Sequence, residues 1–114
     1  MLLNIVERKV APDITVVELS GRLALGRESQ RIETMFDELS RNGAARVVLD
    51  LTGVEYIDSA GIGMLALAAG KLKEAGGKLA ISAPEGRVLQ LLNLTGLSAI
   101  LKVCPTVADA TAAV

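Results

Sequence analysis

Tyr56-Ile57-Asp58-Ser59-Ala60-Gly61-Ile62-Gly63 follows the apolar run Val47-Val48-Leu49-Asp50-Leu51 and opens an apolar helical pattern that extends to Ala75. A serine therefore stands at the junction of a strand and a helix. Two glycines just behind it clear space around the backbone. A helix N-terminus carries unpaired N–H groups and the positive end of the helix dipole, so it suits an anion such as a phosphate. The plainer alternative is that Ser59 caps the helix, a position that serine favours.

Working outward, Leu2 to Val10 reads as a strand and Pro12-Asp13 as a turn. Thr15-Val16-Val17-Glu18-Leu19-Ser20 is β-branched and reads as the strand that completes a hairpin. Gly21 to Gly26 is expected to be a loop. Ile32, Met35, Phe36 and Leu39 recur at the spacing of one helical face, and Asn42-Gly43 ends that helix. Arg46 to Leu51 is nearly all apolar, as in a strand covered on both faces. The second helix begins near Ser59, buries Ile62, Leu65, Ala69 and Leu72, and closes at Gly76-Gly77. Lys78-Leu79-Ala80-Ile81-Ser82 is the next strand. Pro84 suits the first turn of a third helix, with Val88, Leu91 and Leu92 inward and Gly96 as its stop. Ile100 to Val103 is a last short strand, and Pro105 to Val114 a C-terminal helix that packs Val107, Ala110 and Ala112. The order ββαβαβαβα implies one α/β domain over residues 1–114. An opening hairpin and then parallel strands make a mixed sheet, with about four helices packed against it.

The chain has 114 residues, 51% of them apolar, enough for a core without covalent staples. Twelve basic residues against 13 acidic give a net charge of −1 and no electrostatic reason to bind nucleic acid or an anionic membrane. Phe36 and Tyr56 are the only aromatics, too few for a base-stacking platform. The longest apolar runs are short, Ile62 to Gly70 ending at Lys71, and Met1 to Glu7 lacks the charged start and cleavage site of a signal peptide. A soluble cytoplasmic protein is the expectation. Histidine is absent, which excludes a Ser-His-Asp triad, a Cys-His pair, a phosphohistidine relay and a His-ligated metal. Cys104, the one cysteine, cannot form an internal disulfide and lies in an apolar run that suits a buried, inert thiol. No catalytic residue, metal site or cofactor is expected.

Gly61-x-Gly63-x-x-Ala66 formally matches a dinucleotide-binding fingerprint, but the next strand ends Ile81-Ser82-Ala83 without the carboxylate that would hold a ribose. A phosphoacceptor aspartate at Asp50 or Asp58 would need an acidic pair after the first strand, and only Pro12-Asp13 is there. Asp50 is expected to turn or cap at the strand edge. Gly61 and Gly63 each cost a helix about 1 kcal/mol relative to alanine. Tight packing of helix on sheet would account for them, and so would the close approach of a partner.

Val48-Leu49-Asp50-Leu51, Val54 and Ile57-Asp58-Ser59-Ala60-Gly61-Ile62-Gly63 together resemble the STAS domain of bacterial anti-sigma factor antagonists, which reads "hydrophobic strand, then D-S-x-G-h-G" at this point. Leu19-Ser20-Gly21-Arg22-Leu23 is similar to the L-x-G-x-L of that family, and Gly76-Gly77-Lys78-Leu79 to its G-G-x-L. Val88 to Leu97 is similar to its third helix. The resemblance spans nearly the whole chain. It implies a regulatory, non-enzymatic protein that binds an anti-sigma factor, often a GHKL-type serine kinase, and so frees a sigma factor for transcription. Phosphorylation of the motif serine, here Ser59, breaks that complex, and a phosphatase resets it. The implied partner-binding residues are Asp58, Ser59, Ala60, Gly61, Ile62 and Gly63, with Arg22 and Ala24 beside them.

Ala24 is a departure, because many members carry an aspartate at that place, near the phosphorylated serine. Arg22 and Arg27 flank the loop, as partners for a phosphate or as solvated surface residues. The resemblance also admits a STAS module of a transport or scaffold complex that binds its partner without a phosphate switch. A monomer or weak dimer is expected in either case.

Overall fold

The computed structural model describes residues 3–24, 27–41 and 46–114, with the side chains of 27–29 outside that description. Strand β1 (Asn4–Ala11) turns at Pro12-Asp13 into β2 (Ile14–Leu23), and the two pair antiparallel. Helix α1 (Arg27–Arg41) leads to β3 (Arg46–Ile57), α2 (Ser59–Glu74) to β4 (Lys78–Ser82), and α3 (Arg87–Leu94) with α4 (Leu97–Ile100) to β5 (Lys102–Cys104). Helix α5 (Val107–Ala113) follows. The five strands lie in chain order across one sheet, and every pair after the hairpin is parallel.

That order decides where the helices go. Right-handed crossovers that always advance in one direction stack their helices on one face. The main core lies there: Leu65, Ala68 and Leu72 of α2, Ile32 and Phe36 of α1, and Leu92 of α3 pack on Val17, Leu19, Leu49 and Ile81. Only α5 is left for the other face, where Ala110 and Val114 meet Ile14, Val16, Val48, Ala80 and Cys104. Ala11 of β1 packs at the margin of this cluster, while Val6 and Val10 of the same strand are exposed.

The expected order holds, with α4 inserted as a short turn of helix after Gly96, whose φ of +79° suits glycine. Several boundaries differ from expectation. Gly21, Arg22 and Leu23, expected in a loop, belong to β2, and β3 continues six residues past Leu51 to Ile57. The reason is two register shifts, between Glu18 and Ser20 and between Gly21 and Arg22, where β3 holds an extra residue against β2. Asp50 marks the first: its Oδ1 accepts from the Thr52 amide at 3.0 Å and the Thr52 hydroxyl at 2.6 Å. Pro84 precedes the third helix instead of opening it, with Gly86 as the N-cap at φ +145°. The last strand starts at Lys102, because Ile100 is taken by α4. Thr106 caps α5 by accepting from the Asp109 amide at 3.1 Å. Cys104 is buried, as expected. The expected helix end at Asn42-Gly43 and the strand start at Leu2 lie outside the described residues.

Candidate functional site

The first turn of α2 projects beyond the end of the β2–β3 pair. Leu23 pairs with Ile57, and the amide of Asp58 donates to the Leu23 carbonyl at 3.3 Å. Asp58 is the N-cap: it is extended, at φ −111° and ψ −176°, and its Oδ1 accepts from the Gly61 amide at 2.8 Å. Ser59, considered above as the cap, is therefore the first helical residue instead. It is exposed, and among the described residues its hydroxyl and the amides of Ser59 and Ala60 have no partner.

The two glycines have different causes. A Cβ on Gly61 would lie within 3.0 Å of the Leu23 carbonyl oxygen and 2.9 Å from Ile57 Cγ1, so helix-on-sheet packing accounts for this one. A Cβ on Gly63 would meet nothing within 4 Å. Gly63 is exposed, one turn below Ser59 on the same side of the helix. Ile62 is half-buried, as is Ala60.

The buried line of α2 is Gly61, Leu65, Ala68 and Leu72. The opposite side carries Ser59, Gly63, Ala66, Leu67 and Gly70 before Glu74 is reached, so three turns of outward-facing helix bear no charge. Leu67 is 68% exposed, and a shallow groove beside it is lined by Gly63, Ala66, Gly70, Lys71 and Glu74. The expectations above stopped at Gly63 and did not include this strip. Its signal in the sequence was a helix with no polar face. Lys71 fixes the helix against α1 through Asp37 at 2.8 Å and Glu33 at 3.5 Å. The hydrogen bond that Lys71 donates to the Asp37 carboxylate is the main cause that raises its ammonium above the ordinary value.

Arg22 and Ala24 sit at the end of β2 beside this turn. Ala24, half-buried, follows the residue whose carbonyl holds Asp58. Arg22 pairs in register with Tyr56 and stacks on its ring, with Cζ 4.2 Å from the centroid. The side chain of Arg27 lies outside the described residues.

Among the described residues the geometry offers an exposed hydroxyl beside amides without partners. Among the described residues no three His, Cys, Asp or Glu side chains gather as a metal site, and no helix is long and apolar enough to cross a membrane. The cavity between α1 and α2, at about 40 Å³, holds no more than a water or a methyl group. A wide open groove lined by Ala69, Lys73, Lys78 and Ile100 lies by the C-terminal half of α2, away from Ser59.

A Thermotoga maritima protein with the provisional name anti-sigma factor antagonist is 28% identical over 102 residues, 90% of each chain. A crystal structure of a protein so named from the same organism superposes with a TM-score of 0.85 at 26% identity, covering 96% of this chain and 93% of that one. An anti-sigma factor antagonist from Mycobacterium paratuberculosis gives 0.85 at 24%, covering 99% and 94%. A sulfate transporter family protein from Wolinella succinogenes gives 0.76 at 21%, covering 92% and 87%. At that identity it shows the fold alone, and the fold by itself does not choose a partner. The STAS domain family matches residues 6–110, nearly the whole length, and this chain belongs to it.

Proposed function

We propose that this protein is an anti-sigma factor antagonist. It binds an anti-sigma factor through the N-terminal turn and outward strip of α2, and phosphorylation of Ser59 releases it. Its partner is a GHKL-type serine kinase or a related anti-sigma factor, a phosphatase restores the binding form, and sigma-factor-dependent transcription is the output. It acts by binding and not as an enzyme.

The observation that carries this is the division of labour between Asp58 and Ser59. Asp58 has taken the cap, with its Oδ1 2.8 Å from the Gly61 amide. The Ser59 hydroxyl is thereby left exposed for a kinase, beside amides that a phosphate can reach. A phosphate adds about −1.5 to −2 charges and three acceptor oxygens. The fold accommodates it at the helix N-terminus, whereas a partner pressed against Gly63 and Leu67 meets new bulk and new charge next to Asp58. The switch is local exclusion without rearrangement. The relatives named anti-sigma factor antagonists support the same reading. Ala24 stands where many family members carry an acid near the serine, so the kinase is engaged without it.

The test is incubation with ATP and candidate anti-sigma kinases from the same genome, followed by intact and peptide mass measurement. One phosphate on Ser59, absent in Ser59→Ala and accompanied by loss of the complex, is expected. A stable complex without phosphorylation would mean a constitutive binder. Neither phosphorylation nor binding would move the protein to a transport or scaffold role.

A further inference from the structure

We infer that the open groove between the C-terminal half of α2 and the α4–β5 connection binds a single-chain amphiphile with an anionic head, such as a long-chain carboxylate. The inference does not depend on the proposed role of Ser59.

The groove has a volume of about 580 Å³, within the roughly 300–1,000 Å³ of small-molecule sites. Ala66 and Ala69 of α2 form one wall, and Ile100 and Leu101 the other. Ile100 is 72% exposed, so a large apolar side chain is left in water at the rim. Among the described residues that line the groove, the charged side chains are Lys73 and Lys78, with no carboxylate side chain beside them. Both are exposed, and neither has an ion pair among the described residues, whereas Lys71 on the same helix is held by Glu33 and Asp37. The Val114 backbone oxygen beside the groove accepts from Arg46, so it brings no uncompensated negative charge.

A third donor comes from the sheet. The Ala83 amide donates to the Cys104 carbonyl at 2.9 Å, so alternate residues of β4, Ile81 and Leu79 with it, aim their N–H groups toward β5. Strand β5 starts at Lys102, opposite Ala80, and the chain before it turns off into α4. The Leu79 amide is thereby left without an acceptor among the described residues, at a residue that lines the groove.

Charge and shape together select the ligand. Two ammonium groups and one backbone N–H suit an anionic head, because hydrogen bonds to an ionised acceptor are the strong ones. The apolar walls suit a chain, whose burial supplies the rest of the affinity. One outward amide is enough for a compact head and too little for a ladder with an added peptide strand. Ala66 and Gly70 also line the shallow groove beside Leu67, so a bound chain lies against the same helix that carries the outward strip.

The test is titration of the ¹⁵N-labelled whole chain with sodium decanoate below its micelle-forming concentration, followed by amide chemical shifts. Saturable shifts centred on Leu79, Gly77 and Gly70 are expected. Decyltrimethylammonium, with the same chain and the opposite charge, should not produce them, and acetate, with the head alone, should bind at least about a hundredfold more weakly. Lys73→Glu/Lys78→Glu should weaken decanoate at least about tenfold, and Ile100→Asp should also weaken it, whereas Lys9→Glu on the distant strand β1 should not. Circular dichroism checks that each variant is folded. Equal binding of the cationic amphiphile, an unchanged affinity in the double lysine variant, or shifts centred away from Leu79 would each overturn the inference. So would a failure of decanoate where an acidic, apolar peptide binds, which would assign the groove to a protein segment.

Discussion

Gly61 lies so close to the end of β2 that a side chain on it would be forced to within 3.0 Å of the carbonyl oxygen of Leu23. The obstacle is backbone, and Leu23 is itself tied by the Asp58 amide, so the contact has no flexible end to give way. Gly61→Ala is expected to destabilise the fold by about 1–3 kcal/mol, the range for overpacking a well-filled core. Gly63→Ala, in open space on the same helix, is expected to be neutral or to stabilise by up to about 1 kcal/mol. Urea unfolding of the two variants checks the contrast. Equal effects would mean that the close approach at Gly61 is not maintained in solution.

The cap makes a second prediction. Asp58→Ala removes the acceptor for the Gly61 amide and should cost about 1 kcal/mol, within the usual 0.5–2. Asp58→Asn keeps an acceptor oxygen and should recover most of that. Ser59→Ala removes only an exposed hydroxyl and should stay within about 0.5 kcal/mol of the parent. Denaturant midpoints for the three proteins decide whether the two neighbours divide capping and signalling in this way.

Much of this was legible in the sequence, for identifiable reasons. Ile32, Met35 and Phe36 sit on one helical face and are buried on it, and Val47, Val48 and Leu49 form a strand apolar on both faces because helices cover both. The family is written in the D-S-x-G stretch and its neighbours. The length of β3 was not legible, since Thr52-Gly53 looks like a turn. The strand instead bulges between Asp50 and Gly53, and Gly53 is needed where pairing resumes because a Cβ there would come 2.7 Å from Ser20 Cβ, a contact visible only once β2 and β3 are paired. The identity of the cap was not legible either. Asp58 and Ser59 are both good caps, and the choice is made by the extended backbone that Leu23 imposes on Asp58. The stack of Arg22 on Tyr56 depends on the same shifted register.

Acid should expose one long-range tie. Asp13, in the hairpin turn, accepts from Arg46 at the start of β3 at 3.0 Å, and that hydrogen bond holds its carboxyl below the ordinary 3.8. A carboxylate with a lowered folded pKa contributes stability above its unfolded value and loses it as pH falls through the folded one. Asp13→Asn should therefore unfold more easily than the parent at neutral pH. The difference should shrink as pH drops below 3.8. Unfolding curves across that range test it, and a constant difference would assign the effect of the variant to something other than ionisation.

Charge at Ser59 should leave the domain standing. An acidic group at the first helical position meets the positive end of the α2 dipole and amides without partners among the described residues, worth about 0.3–1 kcal/mol near a surface. Asp58, one residue away, offsets part of this by repulsion. The net expectation for Ser59→Asp is stability equal to the parent or raised by less than about 1 kcal/mol, with an unchanged circular dichroism spectrum. Measured beside partner binding, this separates two kinds of switch. Lost binding with intact stability is what exclusion at the surface of α2 requires. Lost binding together with lost stability would mean that the charge acts by loosening the helix, and the site would then be a conformational switch.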